Sequence, residues 1–352
     1  MNGRSREERN AILRRRRSRP TITDVARAAG VSTGTVSHVL NGSRAVGAER
    51  REQVMRAIKA LGYVPNIMAQ SLRRKRATLV GLCMPHMTSG YFVSLADKVE
   101  ELAARAGYDV LHVFSRYDGS MELHRVETLL RYDTAGVLLL PGWQPDATLE
   151  RLAQSEVPTV ILDRPSQDLR FDQVTVDVAA AMRQAAAELL ALGHQRIAFV
   201  SAVPDLLLSR RRIKGLRDGI RAAGSPAQVL VVQRSEDPVA FQAEFTKLMA
   251  GPDRPTALVV TSSPGVALVV KGLRQLGLTM PADVSLLAVN QPAWADVVSP
   301  TLAGIRPPAR AIAEQAWDLL LSRMQGRRQR TQRIALKPEF QGGASMGPAP
   351  KR

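Results

Sequence analysis

From residue 77 onward, the chain alternates between short apolar segments and amphipathic stretches with helical periodicity. The apolar segments predict strands at 78–84, 108–114, 136–140, 159–163, 196–200, 229–232, 257–261 and 285–289. The stretches between them predict helices, for example at 91–106, 179–192, 211–223, 239–249 and 266–275. Strands that alternate with helices form parallel sheets covered by those helices. Eight such units predict two doubly wound subdomains, each with a ligand-binding edge at the carboxyl ends of its strands.

The chain carries a formal net charge of +17, and most of it lies near the amino terminus. Residues 1–76 hold 18 Lys and Arg against 5 Asp and Glu, a net charge of +13, whereas the remaining residues carry a net charge of only +4. A basic surface that is merely solvated need not be confined to one segment. The placement therefore predicts a polyanion-binding head, with nucleic acid as its partner, on a nearly neutral body.

Several protein classes are disfavoured by what the sequence lacks. No apolar run approaches the ~20 residues of a membrane-spanning helix, and no apolar stretch follows the basic amino terminus as in a signal peptide. We therefore expect a cytoplasmic protein without a membrane partner. The single cysteine, Cys83, excludes an internal disulfide and a cysteine-based zinc site. Phosphate-loop, nucleophile-elbow and zinc-protease motifs are missing, so we expect no catalytic residues, metal or cofactor. An enzyme on this α/β core is the weaker alternative.

The basic head contains the pattern of a helix-turn-helix. Residues 21–41 read TITDVARAAGVSTGTVSHVLN, in which two apolar helical faces are separated by Gly30 in a tight turn. The small residues Ala26 and Ala29 allow the two helices to cross closely. Residues 48–61 predict a third, amphipathic helix. A three-helix bundle without a partner has the same pattern, but the charge of the head favours DNA.

The segments that flank the head and end the chain predict little independent structure. Residues 1–20 are Arg-rich and lack apolar periodicity, so they predict a disordered basic arm. Residues 67–73 predict one or two helical turns, too short to be stable alone and expected to form against DNA and a dimer mate. An ordinary basic linker is the alternative. The Gly/Pro/Ala-rich residues 341–352 predict a disordered tail.

Further short motifs follow the head in a consistent order. LGYVPN lies at 61–66 and AQSL at 69–72. The body contains ILDRP at 161–165, VTVD at 174–177, LGHQRIA at 192–198, Arg212 with Gly215, and PADVS at 281–285. With the head motif, this series resembles the LacI/GalR (lactose/galactose repressor) family of bacterial transcription factors over residues 21–340. The head motifs are the most specific part of the resemblance.

The resemblance implies an N-terminal all-α helix-turn-helix head with a hinge helix, joined to an α/β core like the periplasmic binding proteins, with two doubly wound parallel-sheet subdomains. The head would span 21–64, the hinge helix and linker 65–76, and the effector-binding and dimerisation core 77–340. The chain would cross between the subdomains three times. The first subdomain would comprise 77–175 and 306–331, the second 176–305 and 332–340, with the later crossings at 299–307 and 330–334.

The resemblance also implies which residues bind DNA. Thr33, Gly34 and His38 would read base edges in the major groove. His38 stands where the family commonly has Arg, so a bidentate guanine contact, about 1–3 kcal/mol of discrimination, is not available there, and we expect a different operator. Leu72 matches a leucine that wedges into the minor groove, with a buried dimer contact as the alternative. The other DNA-binding positions are Thr21, Thr23, Ser32, Thr35, Ser37, Asn41, Asn66 and Ala69.

The family's effector site lies between the two subdomains. The matching positions here are Tyr91, Phe92, Arg164, Asp177, Arg212, Ser262 and Asn290. Each also has an ordinary structural interpretation, such as core packing for Phe92, surface exposure for Arg164 and helix capping for Asp177. Aromatic faces suit a ring, and a guanidinium can hold a hydroxyl, a carboxylate or a phosphate.

Two departures from the family pattern bear on the effector. Ser262-Ser263 replaces the usual Asn-Asp pair, and Asn290-Gln291 replaces the usual Asp-Asp pair. The loss of carboxylates, with Arg164 and Arg212 present, makes the pocket neutral to positive. We therefore expect an acidic effector, such as a sugar acid, a sugar phosphate or another carboxylate, in place of a neutral sugar.

The implied function is a sequence-specific, DNA-binding transcriptional regulator, with repression favoured over activation. It would bind a palindromic operator as a homodimer, respond to a small-molecule effector, and associate with the bacterial nucleoid when bound to DNA. A DNA-binding protein without an effector is the alternative. A transport protein that binds solutes would lack the basic head.

Overall fold

The computed structural model describes residues 20–41, 45–63, 77–235, 237–327 and 330–351. The chain divides into two compact units, Met1–Arg76 and Ala77–Arg352. All of the expected basic arm except Pro20 lies outside the described residues, and so does the expected hinge at 65–76. Both stay predictions from the sequence.

Three helices form the described part of the smaller unit. They are α1 (Ile22–Ala29), α2 (Thr33–Asn41) and α3 (Ala48–Leu61). Their apolar faces meet in one cluster, in which Val25, Val36 and Val54 are fully buried. Gly30 ends α1 in the left-handed region, at φ 63°, where a residue without a Cβ avoids a steric penalty. This is the helix-turn-helix arrangement that the sequence predicts.

The larger unit consists of alternating strands and helices, as predicted. Its strands are β1 (Leu79–Met84), β2 (Asp109–Phe114), β3 (Gly136–Leu139), β4 (Thr159–Asp163), β5 (Asp172–Val176), β6 (Arg196–Ser201), β7 (Gln228–Gln233), β8 (Ala257–Thr261), β9 (Ser285–Val289), β10 (Ala303–Arg306), β11 (Arg333–Leu336) and β12 (Glu339–Gln341). Its helices are α4 (Gly90–Ala106), α5 (Gly119–Arg131), α6 (Asp146–Ser155), α7 (Val178–Ala191), α8 (Leu207–Ala222), α9 (Pro238–Ala250), α10 (Ser263–Gln275) and α11 (Ala309–Met324).

The strands form two six-stranded sheets, and each sheet is the centre of one subdomain. The first sheet has the order β11-β5-β4-β3-β1-β2 and is parallel throughout. The second has the order β12-β10-β9-β8-β6-β7 and is parallel except for the β10–β12 pair. Helices pack on both faces of each sheet and bury apolar clusters there. In such sheets, ligands bind at the carboxyl ends of the strands.

The chain passes between the sheets three times, but the last expected crossing is misplaced. The sequence expectation put 332–340 in the second subdomain. It is wrong, because 333–336 forms β11 of the first sheet and pairs with β5. The fully buried Asp172 carboxylate holds this segment, since it accepts hydrogen bonds from the Gln332 N–H and from Arg323 Nε. The crossing lies instead between β11 and β12. Strands of three to five residues that carry polar side chains show too little alternation to be recognised from sequence.

The carboxyl-terminal segment is ordered, so the expected disorder at 341–352 is wrong for its described part, which ends at residue 351. The segment packs on the second subdomain, where β12 pairs with β10. Ser345 is fully buried. Its Oγ donates to the Leu286 carbonyl at 2.7 Å and accepts from the Ala303 N–H at 2.9 Å. The small residues of this segment therefore serve close packing against the sheet backbone.

Gly343 tests this packing. A Cβ at this position would lie 2.3 Å from the Ala303 nitrogen and 2.5 Å from the Leu302 carbonyl carbon, both of them backbone atoms that cannot move away easily. We expect Gly343→Ala to lower the free energy of unfolding by about 1–3 kcal/mol, measured by urea denaturation. Gly342 has nothing within 4 Å of such a Cβ, so Gly342→Ala is the matched control. Equal stabilities for the two variants would contradict the close packing.

Candidate DNA-reading helix and effector cleft

In the head, α2 begins in a capped turn. Oγ of Ser32 accepts a hydrogen bond from the Thr35 N–H at 3.1 Å and lies 2.9 Å from the Thr35 hydroxyl. Thr21 and Asp24 form a capping box at the start of α1. The Thr21 hydrogen bonds hold the pKa of the Asp24 carboxyl below its usual value. Ser32 and Thr21 thus fix the helix starts, and both remain exposed.

The first turn of α2 is open to solvent. Val36 is buried in the core of the head, whereas Thr33 and Gly34 are exposed and His38 is half-buried. A Cβ at Gly34 would meet only Ser32 Oγ, at 3.5 Å, an ordinary van der Waals contact. Packing therefore does not require glycine there. A recognition helix enters the major groove of DNA by such an exposed amino-terminal turn.

In the larger unit, the strand ends that face the gap between the subdomains carry unusual backbone conformations. Among the described residues, seven other than glycine have a positive φ. Five of them lie at the carboxyl ends of strands: Arg116, Tyr117, Asp163, Ser262 and Asn290. Such conformations cost about 1–3 kcal/mol each and persist where the surroundings hold them. Their position makes the cleft between the subdomains a candidate functional site.

Arg212 on α8 lies in this cleft and is only 9% exposed. Within the described part of the chain, its Nε–H has no hydrogen-bond partner. Burial lowers the pKa of Arg212 to about 10, and the charge of Asp163 partly opposes that shift. The guanidinium therefore stays protonated at neutral pH. A buried, incompletely paired cation is costly unless a partner arrives, so this position suits an anion.

Asp163 compensates Arg212 only in part, because it is already engaged. Its Oδ1 accepts a hydrogen bond from the Tyr91 hydroxyl at 2.6 Å. Burial, and secondarily the Asp163 charge, raise the pKa of Tyr91 well above its usual value. The phenol therefore remains protonated and acts as the donor. The neutral Tyr91 phenol and the Asp163 side chain thus form a hydrogen-bonded pair near Arg212.

A second arginine lies on the first-subdomain side of the cleft. The Arg164 guanidinium is 4.7 Å from the Tyr117 ring centroid, and its Nη1 donates to the Pro141 carbonyl at 3.4 Å. Tyr117 stacks on Trp143, with centroids 5.3 Å apart and planes inclined by 14°. His86 packs edge-on against Tyr117 at 5.3 Å, and burial lowers its pKa. This wall is therefore aromatic and positive.

The cavities between the subdomains differ greatly in volume. The cavity at Arg212 and Asn290 holds about 10 Å³, room for about one water molecule. A larger cavity of about 570 Å³ is lined by Tyr91 and Asn290, and another of about 460 Å³ by Trp143 and Leu207. The cleft is therefore closed around Arg212, and a sugar-sized ligand would need the subdomains to separate there.

Both units contain segments that match families of known proteins. Residues 21–66 match the model of bacterial regulatory proteins of the lacI family, and residues 186–346 match the periplasmic binding protein-like domain. The transcriptional regulator PtxS of Pseudomonas putida is 30% identical over 326 residues, which is 91% of this chain and 94% of that protein. The regulator DegA of Bacillus subtilis is 28% identical over 91% of this chain and 96% of its own length.

This chain belongs to the LacI family. It is accordingly a DNA-binding transcriptional regulator of the repressor type, with an effector-binding core. Its fold is also that of the lac repressor dimer bound to operator and the anti-inducer ONPF, with a TM-score of 0.80, 22% identity, and coverage of 93% of this chain and 99% of that one. In the described ranges, no helix is both long and apolar enough to cross a membrane.

The structure gathers some of the residues that the LacI-family resemblance points to and separates others. Arg212 and Asn290 line the closed part of the cleft, and Tyr91 lines its wider part. Phe92 is 7% exposed, packed in the core of the first subdomain. Asp177 caps α7 by accepting from the Ala180 N–H at 2.9 Å. Ser262 likewise caps α10 by accepting from the Gly265 N–H.

Other predicted positions lie outside the described residues. Asn66, Ala69 and Leu72 fall in the segment that the structure does not describe, and the side chain of Asn41 is likewise not described. Their proposed DNA contacts stay predictions.

Sequence reasoning missed several residues of this LacI-family cleft, namely Asp163, Tyr117, Trp143 and His86. Asp163 could have been found, because it is the last residue of β4 and lies within the ILDRP motif. Ligands bind at the carboxyl ends of strands in such sheets. Tyr117 and Trp143 come from two different loops, and only folding stacks their rings. No pattern in the sequence links them.

Proposed function

We propose that this LacI-family repressor binds a palindromic operator as a homodimer and is controlled by an anionic small molecule bound between its subdomains. The proposal of an anionic effector rests on Arg212, whose guanidinium is buried and whose Nε has no hydrogen-bond partner in the described residues. A regulator of this kind acts on the nucleoid, in the bacterial cytoplasm.

The surroundings of Arg212 support an anion over a neutral sugar. Arg164 and Arg234 also lie at the carboxyl ends of strands facing the cleft, and Arg234 Nε lacks a partner within the described residues. Ser262 and Asn290 provide neutral groups at their strand ends. The amino termini of the helices that follow the strands add positive partial charge at the same edges. Among the carboxylates, Asp163 opposes the lowering of the Arg212 pKa by burial, and its Oδ1 already accepts a hydrogen bond from the Tyr91 hydroxyl.

Thermal-shift screening tests the effector class. Sugar acids, sugar phosphates and small carboxylates should raise the melting temperature of the full chain, because a ligand that binds only the folded state stabilises it. The same compounds should change the affinity for the operator. Stabilisation by neutral sugars alone would refute an anionic effector. A protein stabilised by no small molecule would favour an effector-independent DNA-binding function.

For DNA, we propose that Thr33, Gly34 and His38 read bases in the major groove. The exposure of the first turn of α2 supports this assignment. Contacts to the phosphate backbone are proposed for Thr21, Thr23, Ser32, Thr35, Ser37 and Asn41, and minor-groove or hinge contacts for Asn66, Ala69 and Leu72. The hydroxyls of Thr21 and Ser32 cap helices and remain exposed, and hydroxyl groups in such positions commonly contact phosphate oxygens.

His38→Arg should change base preference at one position in each half-site. Arginine can donate two hydrogen bonds to O6 and N7 of guanine, which is worth about 1–3 kcal/mol of discrimination, and His38 cannot. Selection of binding sites from a random DNA library would measure the change. His38→Ala is the control, because it should weaken binding without creating a new preference. Identical preferences for the wild type and His38→Arg would show that this position does not read bases.

The dimer is supported by the solved lac repressor, which is a dimer on its operator, and by an apolar groove on the second subdomain. The groove lies between α10 and the loop after β9. Ala267, Val270, Trp294 and Val298 provide its apolar lining, beside Lys271, Arg274 and Gln275. Val297, in the same loop, is 83% exposed. We propose that a second copy of this chain covers this groove, because a contiguous exposed apolar patch commonly marks a protein interface.

The proposed control mechanism couples the two ligands through the cleft. Because the space at Arg212 holds about one water molecule, an anionic effector can bind there only if the subdomains change their separation. That change would alter how the two protomers hold their heads over the operator. A coupling free energy of about 1–3 kcal/mol is enough to change DNA affinity 5- to 150-fold. The expected hinge at 65–76 is the link between cleft and head.

A further inference from the structure

A second pocket, here called the Trp143 pocket, lies between the first subdomain and α8 of the second. Its cavity of about 460 Å³ is lined from the first subdomain by Trp143, Asp146, Glu150 and Asp168, and from α8 by Leu207. Arg212 lies on the same helix, five residues after Leu207. Tyr117, which stacks on Trp143, is also close enough to Arg212 for the arginine charge to affect its pKa. The pocket and the Arg212 cavity therefore share α8 as a wall.

Trp143 provides an aromatic platform in this pocket. Its indole stacks on Tyr117, and it is nevertheless 39% exposed toward the cavity that it lines. One face of the ring system is thus used for packing and part of the remainder is open. Flat aromatic faces bind the C–H surfaces of sugar rings by dispersion and by the hydrophobic effect.

A buried carboxyl group holds the loop that carries Trp143. Glu122 on α5 is fully buried, and its Oε2 accepts a hydrogen bond from the Gly142 N–H at 2.5 Å. Burial raises the pKa of Glu122, whereas the hydrogen bonds from the Gly142 N–H and the Thr148 side chain oppose that shift. Buried polar groups are hydrogen-bonded because an unpaired one destabilises the fold. Glu122, through Gly142, and Arg164, through Pro141, therefore hold the start of this loop in place.

The polar groups of the Trp143 pocket differ in charge from those around Arg212. The Arg170 guanidinium forms ion pairs with Asp168, at 2.8 Å, and with Glu150, at 3.0 Å. Four charged residues line the pocket, namely Asp146, Glu150, Asp168 and Arg170, and their formal net charge is −2. This charge disfavours a second anionic group. Carboxylates and the Gln144 side chain offer acceptors for hydroxyl groups, as a neutral polyhydroxylated ring requires.

We propose that the Trp143 pocket is a second subsite, which binds a neutral sugar ring of the effector. The effector is then a glycosylated acid, with its anionic group at Arg212 and its ring on Trp143. The inference rests on the proposed anionic function of the Arg212 site and adds the ring. It also assigns Trp143 as a specificity residue, with Glu122 as the residue that positions it.

Calorimetric titration of the full chain with seven compounds tests the proposal. The compounds are gluconate, three acids in which a sugar ring is attached to gluconate (cellobionate, maltobionate and lactobionate), and the neutral disaccharides cellobiose, maltose and lactose. At least one of the ring-bearing acids should bind about tenfold or more tightly than gluconate. Trp143→Ala should remove that gain and leave gluconate affinity unchanged, whereas Trp143→Phe should keep most of it. Tyr132→Ala, which replaces an exposed aromatic residue at the end of α5, should keep all of it.

The outcomes separate this inference from the proposed function. A gain that survives Trp143→Ala, or gluconate binding as tightly as every ring-bearing acid, overturns the second subsite and leaves the anionic site standing. Neutral disaccharides that bind as tightly as the acids, and that lose affinity in Trp143→Ala, support the subsite and overturn the anionic effector. Binding of none of the seven compounds overturns the inference for sugar-derived effectors.

Discussion

Arg212→Met should abolish most of the response to effector while leaving the unliganded protein at least as stable as the wild type. A charge-assisted hydrogen bond contributes about 1.5–3 kcal/mol, so affinity for the best acid should fall roughly 10- to 150-fold. Stability should not fall, because methionine is similar in length and removes a buried cation that lacks a full set of partners. Operator affinity without effector should stay unchanged. Calorimetry, urea denaturation and operator titration measure the three quantities.

Arg210→Met is the matched control, since Arg210 lies on the same helix but is exposed. It should leave effector affinity unchanged. A different result for Arg212→Met, a stability loss of several kcal/mol with an intact effector response, would show that Arg212 serves the fold and would remove the main support for an anionic effector.

Val297→Asp should convert the dimer to monomers and lower operator affinity by about two orders of magnitude or more. Linking two heads makes the second binding event intramolecular and raises overall affinity about 10²- to 10⁴-fold, and that gain is lost when the protomers separate. A carboxylate placed in an apolar interface is unfavourable because it must be desolvated without a partner. Sedimentation and operator titration at matched protein concentrations measure the two effects.

Val239→Asp provides the comparison, because Val239 is a valine of similar exposure, 77% against 83% for Val297. It lies on α9 and does not line the groove, so Val239→Asp should change neither the assembly state nor operator affinity. If Val297→Asp remained dimeric with normal operator binding, the dimer interface would have to lie elsewhere.

The head could be predicted almost completely from the sequence, because its structure depends on local interactions. The Thr21–Asp24 capping box, the Gly30 turn and the apolar faces of α1 and α2 each lie within a few residues. The strand and helix alternation of the core was equally evident. The short strands β5, β10, β11 and β12 were not, since they pair with neighbours distant in sequence and carry little periodicity of their own.

The cleft could be predicted only in outline. Motif matching pointed to Tyr91, Arg212 and Asn290, and the structure places all three along the cleft. The Tyr91–Asp163 hydrogen bond spans 72 residues of sequence, and no local pattern encodes such a pairing. The same holds for the stacking of Tyr117 on Trp143.

The sequence by itself determined the fold class, the helix-turn-helix and the family, because these depend on periodicity, turn residues and short motifs that are read along the chain. The tertiary structure decided which charges are paired. An arginine in the sequence carries the same formal charge wherever it lies, but burial and the positions of Asp163 and Tyr91 leave Arg212 incompletely compensated. Desolvation and partner geometry depend on residues brought together from separate strands and helices. For that reason, the sequence could predict an acidic effector from formal charges, but only the folded protein shows which arginine is left incompletely paired to bind it.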